Sequence, residues 1–386
     1  MSNIYDLLVI GSGPAGATTA RCAAKNGLRV LLVDKKQELG APIQCSGAVS
    51  AHALLDVDVH PDDEFVVTPI FGFIVYDESG KKVELDYREL KPDPYQNQPL
   101  GYVVDRRRFD RALTGMAQRA GVECWLKTEA IGYQRLSNDL VEVQLKRLGK
   151  EVSVQAKVIV GADGLQSQVG KWAGLSTHIK LSELASCLQY VVDRVETHEL
   201  LEIIAGHEWA PGGYAWVFPK HDGMSELGLG VIRTMTDKDA NYYLKKFIES
   251  SFMADRFSDL RILEIQGGGV PLAAPLKTQY ADNMILVGDS ARHVNPITGG
   301  GIHTALRCGA IAGRFLAELL KSGATPNAES LAGYQERWSA EIGDAMWRLY
   351  RRKREIFTER DIVKRNAMLF ETLAHYFSPE SEYRKI

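Results

Sequence analysis

Residues 4–34 read IYDLLVIGSGPAGATTARCAAKNGLRVLLVD, from Ile4 to Asp34. A short apolar run, Leu7-Leu8-Val9-Ile10, ends in Gly11-Ser12-Gly13-Pro14-Ala15-Gly16. An alanine-rich segment follows, then a second apolar run that stops at an acid, Asp34. The pattern is strand, glycine turn, helix, strand, acid. Gly11 allows a tight turn, Gly13 lets the backbone approach a pyrophosphate, and Gly16 lets the helix pack on the strand. The N-terminus of that helix faces phosphate charge. Asp34 lies 18 residues after Gly16, where a ribose hydroxyl needs an acceptor. The stretch therefore predicts a dinucleotide cradle and leaves the choice between dinucleotides open.

The rest of the chain narrows that choice. At 386 residues the chain is long for one core, so two or more domains are expected. A formal net charge of -3 and a pI near 6.3 give no case for nucleic acid. Five scattered cysteines with no CxxC pair argue against a zinc or iron–sulfur site and against a secreted disulfide framework. The chain enters its first strand within a few residues, leaving no room for a signal peptide. No apolar run approaches the ~18–20 residues of a membrane span. These features predict a cytoplasmic protein, at most peripheral at a membrane surface.

Short alternating runs over 65–83 predict strands, and 90–101, rich in Pro, Asp, Asn and Gln, predicts a connection. Tyr102-Val103-Val104 leads into a helix with Asp105 as N-cap. Period-two runs over 122–160 predict hairpins, and 181–265 predicts a second β-rich region with one helix at 237–250. A buried strand at 284–287, a long helix after Gly301 and a helical tail complete the pattern. The expected division is a cofactor domain in three pieces (1–65, 101–180, 281–325), a substrate domain in two (66–100, 181–280) and a helical region at 326–386.

Glycine and acid punctuation recurs at Gly161-Ala162-Asp163-Gly164, at Gly288-Asp289 and at Gly299-Gly300-Gly301. A flavin dinucleotide is long and needs several such stations. Asp289 at a strand end suits ribityl hydroxyls. The 299–301 turn opens a helix, whose free N–H groups would face the N1/C2 carbonyl edge of the flavin.

This set resembles FAD-dependent oxidoreductases of the para-hydroxybenzoate hydroxylase-like fold. Within that fold the chain is similar to the geranylgeranyl reductase family, on Gln44-Cys45-Ser46-Gly47 and on Tyr214-Ala215-Trp216-Val217-Phe218-Pro219. The resemblance runs from residue 1 to about 320; the tail matches only in being helical. It implies an α/β fold, with a Rossmann-like FAD-binding domain, a β-sheet substrate domain and a helical C-terminal tail. It implies FAD as cofactor, with Gly11, Gly13, Ala15 and Gly16 at the pyrophosphate and Asp34 at the adenosine ribose, where many relatives carry Glu. It places Cys45, Ser46 and Ala48 in the flavin loop, Arg106 on the FAD from its helix start and Ala130 at the adenine. Asp289 falls to the ribityl chain, and Gly300, Gly301 and Ile302 to the flavin ring. It implies reduction of isolated C=C bonds in prenyl chains, an archaeal branch acting on ether-linked glycerophospholipids.

An unactivated alkene needs a dry site, a hydride and a proton donor. Tyr214, Trp216 and Phe218 share one face of a strand and are the expected substrate wall. Cys45 is the candidate catalytic thiol, and Cys308, two turns into the helix after Gly301, is its candidate redox partner. His293 and His303 read as structural residues, and no histidine spacing suits a metal. Between Trp347 and Arg365 stand eight basic and three acidic residues, a candidate surface for anionic lipid. No second GxGxxG marks a nicotinamide domain, so NADPH or a ferredoxin-like carrier is the expected electron donor. An aromatic monooxygenase, a flavin halogenase and a non-catalytic prenyl-lipid carrier are the competing readings.

Overall fold

A computed structural model describes residues 4–62, 64–90, 97–221 and 223–381. The apolar runs Ile4–Ile10, Val30–Val33, Glu123–Trp125, Lys150–Gly161 and Met284–Leu286 form a parallel sheet. Ile4–Ile10 stands between Val30–Val33 and Lys150–Gly161, so the strand order reverses beside it. Such a reversal opens a crevice at the carboxyl ends of the two strands, where ligands of open α/β sheets bind. Both strands end there in glycine, at Gly11 and Gly161. Leu7, Leu8 and Val9 are fully buried, as a sheet covered on both faces demands. Leu140–Arg147 and Thr128–Ser137 extend this sheet as antiparallel hairpins.

Pro14–Lys25 and the long helix Ile302–Lys321 pack against each other through glycines. A methyl group on Gly309 would lie 2.5 Å from the carbonyl of Ala15, and one on Gly313 2.5 Å from that of Thr19. Backbone therefore meets backbone with the two helices running parallel, and the start of Ile302–Lys321 reaches about 9 Å beyond the start of Pro14–Lys25.

The second sheet has seven strands in the spatial order Arg261–Pro271, Leu184–Asp193, Ser225–Ile232, Tyr214–Pro219, Leu200–Ala205, Gly72–Tyr76 and Lys82–Asp86. It is antiparallel except where Leu200–Ala205 runs parallel to Gly72–Tyr76. One face packs on the helix Ala240–Ser250 through Leu244 and Phe247. The other carries Trp216 and Phe218 toward the tail, where Leu349, Leu369 and Leu373 cover it. A small sheet of Ala48–Ser50, Gly101–Val104 and Val66–Ile70 joins the halves. The tail is helical as expected (Ala328–Trp338, Asp344–Thr358, Ile362–Tyr376), with a π-turn at Ser339–Gly343. Asp105 caps the helix Arg106–Arg119, accepting from the N–H groups of Arg107 and Arg108 at 2.8 and 3.1 Å. Part of the connection expected at 90–101, residues 91–96, lies outside the described residues.

Candidate active site

Gly11 takes a φ of +103°, and a side chain there would strike the carbonyl of Ala162 at 2.2 Å. One on Gly16 would strike the carbonyl of Gly11 at 1.8 Å. A methyl built on Gly13, in contrast, meets nothing within 4 Å. The loop is closed by contact on two sides and open on the third, the shape a pyrophosphate needs. No side chain caps the helix that begins after Gly13, so its first N–H groups remain for an anion.

Asp34 is buried at the end of its strand. Its Oδ2 accepts from the backbone N–H of Ser12 at 2.8 Å and from the Ser12 hydroxyl at 2.6 Å. Its Oδ1 accepts from the N–H of Lys36 at 2.8 Å. A carboxylate offers about four acceptor positions, so one is left for a ribose. Most of Asp34's capacity thus holds the glycine loop, a use the spacing alone did not signal. The Asp34 carbonyl accepts from the N–H of Thr128 at 2.8 Å, which brings Ala130, two residues further, to this adenosine end. Asp163 is spent locally: it accepts from the Ser167 hydroxyl and from the N–H groups of Gln168 and Val169, and stiffens its own turn.

The opposite end of the crevice holds Asp289, on the turn Gly288–Ala291. Its carboxylate has no hydrogen-bond partner among the described residues. Burial pushes its acidity constant up, and the nearby Arg106 guanidinium opposes the shift. A methyl on Gly301 would come within 3.6 Å of Asp289 Oδ1, so acid and glycine turn are neighbours. No side chain caps the helix that begins after Gly301. Arg106 is fixed by Asp110 one turn on, through two hydrogen bonds of 3.1 Å. An unpartnered acid that needs hydroxyl donors and two uncapped helix starts in one crevice fit FAD at both ends.

Beyond Gly301 a cavity of about 310 Å³ opens between the two sheets. Cys45, Ser46 and Ala48 line one side, Gly300, Gly301 and Ile302 the floor, and Tyr214, Trp216 and Phe218 the far wall. The three aromatics do share one face. Their rings stand 5.9 and 6.3 Å apart, edge-on and tilted. The Tyr214 hydroxyl donates to the carbonyl of Thr298, which ties wall to floor. Trp216 Nε1 is buried with no partner among the described residues.

Cys45 Sγ accepts weakly from the N–H of Gly47 at 3.5 Å and lies beside Arg106. The pairing with Cys308 does not form. Cys308 is buried in the core of the cofactor half, accepting from Trp338 Nε1–H at 2.9 Å, and lines no part of the cavity. Seven residues at 1.5 Å each carry it about 10 Å down the helix from Gly301. The cysteine that shares the cavity with Cys45 is Cys187, whose thiol is pushed up to about 12 by burial, Cys45 adding to it.

The two histidines part company. His293 is structural: its Nε2 pairs with Gln279 Oε1 at 2.8 Å, its Nδ1 accepts from the N–H of Gly288, and its ring stacks on Trp338. His303 instead lines the cavity, and its buried Nε2 has no partner among the described residues. Burial holds it neutral, down at about 4.

Three more groups line the cavity that the sequence reading did not single out. Tyr376 and Phe377 enter from the last helix, and Phe377 stacks on Phe73 with ring centres 4.1 Å apart. Gln189 also lines the wall, donating to Gln266 at 2.5 Å. It is the one amide in the apolar run Leu188-Gln189-Tyr190-Val191-Val192, a break in the pattern that could have found it.

Fold and crevice together define a flavoprotein oxidoreductase that uses FAD. The sequence matches the FAD dependent oxidoreductase family over residues 6–214 and the geranylgeranyl reductase catalytic domain over 183–270. The digeranylgeranylglycerophospholipid reductase of Methanothrix thermoacetophila is 38% identical over 340 residues, covering 88% of this chain and 84% of that one. A geranylgeranyl bacteriochlorophyll reductase-like protein from Thermoplasma acidophilum superposes with a TM-score of 0.88 at 29% identity, over 99% of this chain and 94% of that one. The p-nitrophenol 4-monooxygenase of Pseudomonas putida shares the fold alone, with a TM-score of 0.74 at 18% identity, over 100% and 96% of the two chains. The chain belongs to the digeranylgeranylglycerophospholipid reductase family.

Proposed function

We propose that this protein reduces isolated C=C bonds in the geranylgeranyl chains of ether-linked glycerophospholipids. The observation that carries this reading is the single cavity into which the Cys45 loop, the 299–301 turn and the Tyr214–Phe218 aromatics all open. FAD, when bound and reduced, supplies the hydride. The rest falls to the chain. Gly11, Gly13, Ala15 and Gly16 hold the pyrophosphate, Asp34 and Ala130 the adenosine, Asp289 and Arg106 the ribityl region, and Gly300, Gly301 and Ile302 the ring. Tyr214, Trp216 and Phe218 hold the prenyl chain and exclude water, so an alkene carbon without a dipole is oriented by shape alone. Cys45 Sγ, beside the Arg106 guanidinium, is the group placed to give the proton to the second carbon.

A lipid substrate also requires contact with a membrane surface. No helix among the described residues is long and apolar enough to cross a membrane. Of the basic residues between 347 and 365, Lys353 is buried against the carbonyl of Leu272, and Arg352 is tied to Thr372 and Glu355. Arg351, Arg354, Arg360 and Lys364 remain on the surface, with Ile362 and Val363 exposed at 47% and 77% among them. Apolar side chains set among cations suit an anionic lipid surface. NADPH or a ferredoxin-like carrier supplies the electrons.

Anaerobic re-oxidation of the dithionite-bleached flavin by a geranylgeranyl glycerophospholipid tests the reading, with mass spectrometry showing one added hydrogen pair per reduced bond. Flavin that stays bleached with the lipid, and re-oxidises only with dioxygen and an aromatic substrate, would overturn it in favour of a monooxygenase. Co-sedimentation with anionic liposomes that is indifferent to Val363→Glu and Arg351→Glu would remove the membrane contact.

A further inference from the structure

The strand that carries the aromatic wall, Tyr214–Pro219, runs directly into Lys220. Lys220 Nζ donates to the carbonyl of Ser46 at 3.3 Å, across the gap between the substrate sheet and the Cys45 loop. On its other side Nζ stands 3.0 Å from Glu226 Oε2. The two side chains are only 14% and 1% exposed. Glu226 pairs with Phe218 across the hairpin, so acid and lysine are set by the same two strands that build the wall. Neither Glu226 oxygen has a hydrogen bond of good geometry, so the carboxylate acts on Lys220 as a charge at close range.

A buried ion pair is a poor device for stability, because desolvation takes back most of its attraction. This pair does something a well-packed apolar pair could not, namely hold a carbonyl oxygen of a facing loop. That loop is anchored on its far side by the pairing of Ala48 with Val103 and by the hydrogen bond from Val104 N–H to the carbonyl of Gly47 at 3.0 Å. Lys220 adds a tie at Ser46, next to the thiol and from the opposite sheet.

We propose that Lys220, held by Glu226, is a positioning residue that fixes the Cys45 loop against the aromatic strand, so that thiol and substrate wall keep one spacing. Its effect on turnover rests on the reductase reading given above. Its effect on Cys45 does not, because that effect is read without substrate.

The test uses FAD-loaded protein and four variants: Lys220→Met, Lys220→Arg, Glu226→Gln and the double Lys220→Met/Glu226→Gln. Alkylation of Cys45 by iodoacetamide is followed by peptide mass spectrometry, beside melting temperature, kcat and KM. Losing the tie lets the loop drift by about an ångström, so kcat should fall about 10- to 100-fold in Lys220→Met with a smaller change in KM. Cys45 alkylation should change several-fold in the same variant, and Lys220→Arg should return both toward wild type. Glu226→Gln should shift both in the same direction as Lys220→Met, less far. The double variant removes the stranded buried carboxylate, so it should recover the melting temperature that Lys220→Met loses and leave Cys45 alkylation and kcat altered. A double variant that restores all three would show a merely structural pair and overturn the proposal. So would a Cys45 alkylation rate unchanged in Lys220→Met.

Discussion

Two sets of glycines in this molecule, one at the cofactor helices and one on a central strand of the substrate sheet, serve opposite ends. In the cofactor half glycine brings backbone onto backbone: Gly16 against Gly11, Gly309 against Ala15, Gly313 against Thr19. On the strand Ser225–Ile232 of the substrate sheet it makes room for side chains. The Trp216 ring lies where a Gly228 side chain would stand, 2.4 Å from its Cβ position, and Cys187 Sγ lies 3.0 Å from that of Gly230. A backbone contact cannot be relieved without moving an element, whereas a ring can turn. Gly16 should therefore fail all at once when altered, and Gly228 by degrees.

Gly16→Val tests the first limb and carries the largest expected effect. With the Gly11 carbonyl 1.8 Å from the new Cβ, the helix must leave the strand. Purified variant should show no bound-flavin absorbance, with a stability loss beyond ~4 kcal/mol. A yellow, folded Gly16→Val protein would break the comparison. Gly228→Ala tests the second limb: overpacking should cost about 1–3 kcal/mol, flavin should be retained, and the loss should appear as lowered kcat/KM for the lipid. Equal loss of flavin in both variants would erase the distinction.

Acid separates the two histidines. Both sit below the ordinary value, His293 at about 3 and His303 at about 4, because burial disfavours the charged ring. The unfolded chain binds those protons near pH 6.5 and the folded chain does not, so stability is full above pH 6.5 and falls as pH drops toward 4. Going from pH 7 to 5 should cost about 2 kcal/mol per histidine in urea midpoints. His303→Asn should remove its share, and bound FAD or lipid should alter the drop for His303 while leaving that of His293. The smallest effect belongs to Trp216→Phe. It loses ring area but also frees a buried N–H that has no partner, so the net cost should be about 1 kcal/mol, against the 3–5 usual for truncating a buried aromatic to Ala.

The same contrast explains what the sequence made legible. The cradle is local: GSGPAG, Asp34, Gly288-Asp289 and 299–301 each carry their meaning within a few residues, and the period-two face of Tyr214, Trp216 and Phe218 is equally local. The cavity is assembled from distant strands. Nothing near Cys45 says that Cys187 rather than Cys308 lies across from it, since that depends on how far a helix runs before it enters the core. Asp163 read as part of the cofactor punctuation, yet its oxygens close its own turn. His303 read as a satisfied residue, and only the packing of the first turn of its helix shows otherwise.

Tyr376 and Phe377 close the cavity from the end of the last helix, and the Tyr87 hydroxyl donates to the carbonyl of Phe377 at 2.7 Å, across 290 positions of sequence. This is a statement about time as well as space. During synthesis the aromatic wall emerges well before the segment that covers it, by on the order of ten seconds at ribosomal rates. For that interval the nascent chain presents an apolar trough whose cover has not yet been made. A trough of that kind invites chaperone capture until the last helix arrives.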